Sequence, residues 1–100
     1  MDIKKSTSGN TTTLALTGRL DTVTSVQLSN ELGITLEGDP VNLVFDFSAL
    51  EYVSSAGLRV LLTAQKKINA LGTEMEIIGA NETVKEVFDI TGFSGILKIR

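Results

Sequence analysis

The chain reads as a single α/β domain with a mixed, mostly parallel β-sheet and helices packed on it. Three observations carry that reading. Short segments rich in β-branched residues alternate apolar and polar positions, as half-buried strands require, while longer ones repeat apolar residues at helical spacing. After two opening strands, one helix stands between each strand and the next. Such single-helix connections imply right-handed crossovers and parallel pairing. The expected order is β-β-α-β-α-β-α-β over residues 1–100.

The first strand is brief, Asp2–Ser6, and the small polar run Thr7–Asn10 suits a hairpin turn. Thr11–Thr17, "TTTLALT", alternates Thr with Leu and pairs antiparallel with it, and Gly18 is expected to end that strand. Asp21, Thr22 and Thr24 are each suitable N-caps for a first helix, in which Leu28, Leu32 and Leu36 would face a core. Gly33 weakens this helix by about 1 kcal/mol relative to alanine, and Gly38–Pro40 is expected to end it.

Val41–Phe47, "VNLVFDF", is the strongest strand pattern, and its nearly continuous apolarity predicts burial on both faces. Ser55–Leu71 follows as a long helix. Leu58, Leu61, Leu62, Gln65, Ile68 and Leu71 line one side of it, and Lys66 and Lys67 fall on a solvated side, with Gly72 as the terminating residue. Glu74–Gly79 is a further strand. Asn81 caps a third helix, with Glu82 in its first turn, Val84, Val87 and Phe88 on its apolar face, and Gly92 as its stop. Ile96–Ile99 is the last short strand.

Composition excludes several functions. With 42% hydrophobic and 21% charged residues the chain has the balance of a soluble globular domain. It has neither cysteine nor histidine, so a disulfide framework, a thiolate metal site and an imidazole-activated nucleophile are all ruled out. No cofactor is expected. A net charge of −3 and a pI near 4.8 give no electrostatic footprint for nucleic acid or an anionic membrane. No apolar run approaches the roughly 20 residues that span a bilayer, and the start lacks the apolar stretch of a secretory signal. A cytoplasmic protein, monomeric when free, is expected.

The stretch "DFSALEYVSSAGLRVLL" holds the candidate site. A helix beginning at Ser54 or Ser55 presents unpaired N–H groups and roughly half a positive charge, which favour an anion. Serine is a preferred N-cap, so one serine needs no further explanation. A second serine beside it, and Gly57 inside the first turn, are not explained by capping. Gly57 would let a partner or a phosphate approach closely. Asp21 and Asp46 close two strands at the rim where α/β sheets carry their sites, although a cap or turn alone accounts for either.

These residues resemble the signature of STAS domains, the family of bacterial anti-sigma factor antagonists. "LTGRLDTVTS" is similar to that family's Gly-x-Leu-Asp segment, and "GTEMEIIGANETVKEVFDITGF" to its final strand-helix portion, so the resemblance covers the whole chain. It implies a binding protein without enzymatic activity. Its partner would be an anti-sigma factor serine kinase that phosphorylates a serine at the start of this helix, and a separate serine phosphatase would reset it. Counting back two residues from the Gly-Leu pair places the acceptor at Ser55. Ser54, Gly57 and Leu58 would form the surrounding contact surface, with Asp21 on the same rim. Ser54 stands where the sporulation antagonist's Asp-Ser-Ser-Gly-Leu pattern has Asp, and Ala56 where it has the second Ser. The alternative is an unphosphorylated STAS module that binds a protein or ligand in a transport or sensor complex.

Overall fold

The computed structural model describes all residues, Met1–Arg100. It contains five strands, β1 (Asp2–Ser8), β2 (Thr11–Leu20), β3 (Asn42–Val53), β4 (Met75–Ile78) and β5 (Lys98–Ile99). Three helices, α1 (Thr22–Thr35), α2 (Ser55–Leu71) and α3 (Glu82–Thr91), follow β2, β3 and β4 in turn, and a short 3-10 turn, Phe93–Gly95, precedes β5. The strands lie in sequence order, β1-β2-β3-β4-β5. Only β1 and β2 pair antiparallel, and every later pair is parallel. The fold class and the element order are those the sequence predicts.

The strand bounds differ in an instructive way. β2 does not stop at Gly18 but continues to Leu20, and β3 runs past Phe47 to Val53. Their pairing slips between Ala15 and Thr17 and again between Gly18 and Arg19; at each slip β3 carries one extra residue and the pairing resumes. Gly18, at φ +105°, stands on β2 beside the second slip, in a backbone conformation that favours glycine. Asp46 therefore sits inside β3 and not at its end. Helix α1 ends at Thr35, before Gly38–Pro40: Leu36 turns out of helical geometry, its N–H bonds back to the Leu32 carbonyl, and the Glu37 N–H bonds to that of Ile34.

Burial on β3 alternates, contrary to the expectation of a strand buried on both faces. Leu43, Phe45 and Phe47 are buried, whereas Val44 and Asp46 are only half-buried. The same alternation holds on β4, where Met75 and Ile77 are buried between half-exposed Glu76 and Ile78. The helices thus cover one face of the sheet and leave the other open. The covered face forms one cluster with Leu28 and Leu32 of α1, Leu58, Leu61 and Ile68 of α2, and Val84 and Phe88 of α3. Phe47 lies 6.5 Å from Phe88 and 5.7 Å from Phe45, so one ring ties α3 to the sheet. Each such aromatic pair adds about 0.5–1.5 kcal/mol beyond its buried area.

Candidate functional site

Because β2, β3 and β4 are parallel, the helices that follow them all begin on one rim of the sheet. Each start has its own cap. Asp21 caps α1, Ser54 caps α2 and Asn81 caps α3. The rim is bound together across elements. The Ser54 N–H donates to the Leu20 carbonyl at 2.8 Å, joining the start of α2 to the end of β2. The Asn81 side-chain amide donates to the Leu50 carbonyl at 3.1 Å, so that cap also anchors α3 to β3.

The α1 cap is a closed capping box. Asp21 Oδ1 accepts the N–H groups of Val23 at 3.0 Å and Thr24 at 2.9 Å. In return Thr24 Oγ1 accepts the Asp21 N–H at 2.8 Å and donates to the Arg19 carbonyl at 2.7 Å. The bonds from Thr24, aided by Val23 and the nearby Arg19 charge, hold the Asp21 carboxyl below its ordinary range. Arg19 itself lies over the Tyr52 ring, 4.4 Å from its centre. Asp46 is occupied in a similar local way. The Ser48 hydroxyl and the Ser48 N–H both donate to its Oδ1, which lowers its pKa.

At α2 the two serines divide the work. Ser54 is extended (φ −87°, ψ 172°), its hydroxyl accepts the Gly57 N–H at 3.1 Å, and its carbonyl accepts the Leu58 N–H at 2.9 Å. Ser55 is the first helical residue; it is exposed and takes no part in the cap. Its hydroxyl stands at the positive end of a helix of 17 residues. Ala56 beside it is only partly covered, and Arg59, one turn further along, is exposed.

The reason for Gly57 lies inside the fold. A Cβ at this position would stand 2.7 Å from Leu20 Cγ, 2.9 Å from Leu20 Cδ2 and 3.1 Å from the Leu20 carbonyl. The close approach that its lack of a side chain permits is made by Leu20, not by a ligand. Leu58 likewise points into the core and is buried. Of the expected contact group, then, Asp21, Ser54 and Ser55 lie at the surface of the rim, and Gly57 and Leu58 lie beneath it. Sequence reasoning missed the Leu20–Gly57 contact, for which no local signal exists. It also missed the reciprocal partner of Asp21, which the Asp-x-x-Thr spacing could have supplied.

The chain has no group of three or more potential metal-ligating side chains, and none of its helices is long and apolar enough to cross a membrane.

Comparison with known proteins shows the family. The STAS domain profile matches residues 2–100. This chain belongs to the STAS domain family. Over 84 residues it is 33% identical to BtrV of Bordetella bronchiseptica, described as a candidate anti-sigma factor antagonist, which covers 84% of this chain and 72% of that protein. It is 26% identical to the anti-sigma-B factor antagonist of Listeria monocytogenes, over 83% of this chain and 73% of that one. Among solved structures, the anti-sigma factor antagonist SpoIIAA in its unphosphorylated form superposes with a TM-score of 0.86 at 18% identity, covering 99% of this chain and 88% of SpoIIAA. The phosphorylated form of the Bacillus protein superposes at 0.77 and 17% identity, covering 99% and 91%. The STAS domain protein described here thus belongs to a family whose named members include anti-sigma factor antagonists, regulatory proteins and not enzymes.

Proposed function

We propose that this STAS protein is a cytoplasmic anti-sigma factor antagonist switched by phosphorylation of Ser55. The observation that carries the proposal is the division between the two serines. Ser54 is committed to the cap through Gly57, whereas the Ser55 hydroxyl is exposed at the first helical position. SpoIIAA, which shares the fold, has been described in phosphorylated and unphosphorylated forms.

The partner would be an anti-sigma factor that is also a serine kinase. In the transfer, Ser55 Oγ bonds to the γ-phosphorus of ATP, the bond to ADP breaks, and the hydroxyl proton passes to a base of the kinase. A serine phosphatase would reverse the modification by hydrolysis. None of these steps asks for catalysis by the STAS protein itself, which is substrate and ligand.

Phosphorylation adds about −1.5 to −2 charges. Within the antagonist, the start of α2 favours that charge, and Arg59 stands at the i+4 position, where helical side chains meet about 5–6 Å apart. The fold can therefore hold the phosphate. An interface packed against a neutral serine cannot accept it without desolvation, and a penalty of about 3 kcal/mol weakens binding roughly a hundredfold. Ser54 and Asp21 flank the acceptor on the rim, while Gly57 and Leu58 support the first turn from below.

Phosphosite mapping by mass spectrometry, on protein recovered from its native cells in growth and under stress, tests the reading. Phosphate on Ser55 that changes with condition is the expected result. A clean Ser55 at good coverage in all conditions would overturn it and leave an unphosphorylated binding module.

A further inference from the structure

Helices α1 and α2 run side by side over the sheet, and a groove opens between them. Near the helix starts it is a shallow, open depression of about 280 Å³ between Thr22 and Val26 of α1 and Ala56 and Val60 of α2. Further along it encloses about 200 Å³ between Gly33 and Leu36 of α1 and Thr63 and Lys67 of α2. Ser29 and Val60 line both parts, so they form one channel. From Thr22 to Leu36 it extends about 21 Å at the helical rise of 1.5 Å per residue.

Two features of the groove have no explanation within the fold. Gly33 lies in the interior of α1, where glycine is a poor helix former, yet a Cβ there would meet nothing within 4 Å and its φ is not positive. Its missing side chain leaves the channel open. Val26, on the groove's lip, is 61% exposed although it is a large apolar residue.

The charges around the channel are of one sign. Its only ionisable lining residues are Arg59 and Lys67. Helix α2 carries Arg59, Lys66 and Lys67 with no acidic residue, in a chain whose net charge is −3. None of the three forms an ion pair. Lys66 and Lys67 are exposed, as a solvated face requires, and Lys67 also lines the groove.

We propose that the α1–α2 groove docks an amphipathic helix of a partner protein, apolar on its buried face and rimmed by Asp and Glu. The channel accommodates about 14 residues of helix, and the unpaired cations select the acidic rim. A second copy of this chain offers no such helix, because acidic α3 turns Val84 and Phe88 into its own core. The proposal rests on the protein-binding reading of the adjoining Ser55 rim and extends that contact surface along both helices.

The test is an amide-resolved NMR titration of the full chain with two synthetic 15-residue helical peptides. Both carry the same leucine stripe, and one is rimmed with Glu, the other with Lys. The Glu peptide is expected to shift the amides of Val26, Gly33, Val60 and Lys67, with affinity falling at least tenfold in Lys67→Glu. Gly33→Leu, whose Cβ meets no neighbour within 4 Å and whose folding is checked by its Tm, is expected to abolish the shifts. Absence of shifts, equal binding of the Lys peptide, shifts on the open sheet face, or unimpaired binding by Gly33→Leu would each overturn the proposal. So would concentration-dependent shifts without peptide, which would show a second copy in the groove. No kinase takes part, so failure here is distinct from failure of the Ser55 switch, which the phosphosite map reads.

Discussion

The starts of α1 and α2 are neighbours on one rim and follow adjacent parallel strands, yet they are built to opposite ends. At α1 the carboxylate of Asp21 and the hydroxyl of Thr24 satisfy each other's backbone groups. At α2 a single side-chain bond, from the Gly57 N–H to Ser54, makes the cap, and the next hydroxyl is left exposed. The difference teaches that one helix start uses its polar side chains to close its own cap, while the other leaves a hydroxyl free for the proposed modification. Asp21 belongs to the first and Ser55 to the second.

The largest expected effect separates the two serines. Ser55→Asp should weaken binding to the cognate anti-sigma factor roughly a hundredfold, the equivalent of about 3 kcal/mol. Ser55→Ala should bind normally and leave Tm unchanged. Isothermal titration calorimetry reads both, and equal affinity in the two variants would break the comparison.

Next in size is Gly57→Ala. Alanine is the better helix former by about 1 kcal/mol, but its Cβ would press on Leu20, and overpacking costs about 1–3 kcal/mol. The variant should therefore lose stability in a urea titration. A gain would mean that β2 yields easily at Leu20, and that the two helix starts are less firmly joined than the Ser54–Leu20 bond indicates.

The caps themselves come third. Ser54→Ala should cost about 1 kcal/mol, a Tm shift of about 4–8 °C for a domain of this size. Asp21→Ala removes acceptors for two N–H groups and should lower Tm further, while Asp21→Asn should recover most of the loss. If Ser54→Ala were the more damaging, the contrast between a saturated and an open helix start would be reversed.

The smallest effect is the response to acid. The folded-state pKa values of Asp21 and Asp46 are lowered, chiefly by bonds from Thr24 and from Ser48 respectively. Their contribution to stability is complete above the unfolded carboxylate value, near about 3.9, and is lost as pH falls through the lower folded values. Denaturation followed from neutral pH to acid should show a shallower decline for Asp46→Asn than for the native chain.

Much of this was legible in the sequence because it is local. The period of α2 and its bounds, Ser55–Leu71, follow from leucine spacing, the serine pair and Gly72. The cap Asn81 follows from residue type and position, and Asp21 is one of three candidates for α1 among which the structure decides. Strand ends were less legible, since β2 and β3 continue through irregularities that only pairing with a neighbour stabilises.

By itself, the sequence determined the order of elements, the parallel character of the sheet and the helix start at which the two serines stand. It could do so because propensity, periodicity and capping act over a few residues. Only the tertiary structure decided which serine is occupied, why residue 57 is glycine, and that Leu58 lies inward while a groove opens between α1 and α2. These depend on contacts such as Leu20 with Gly57, between residues far apart in the chain. No local pattern encodes a distance between two elements; packing sets it when both are pressed against the same core.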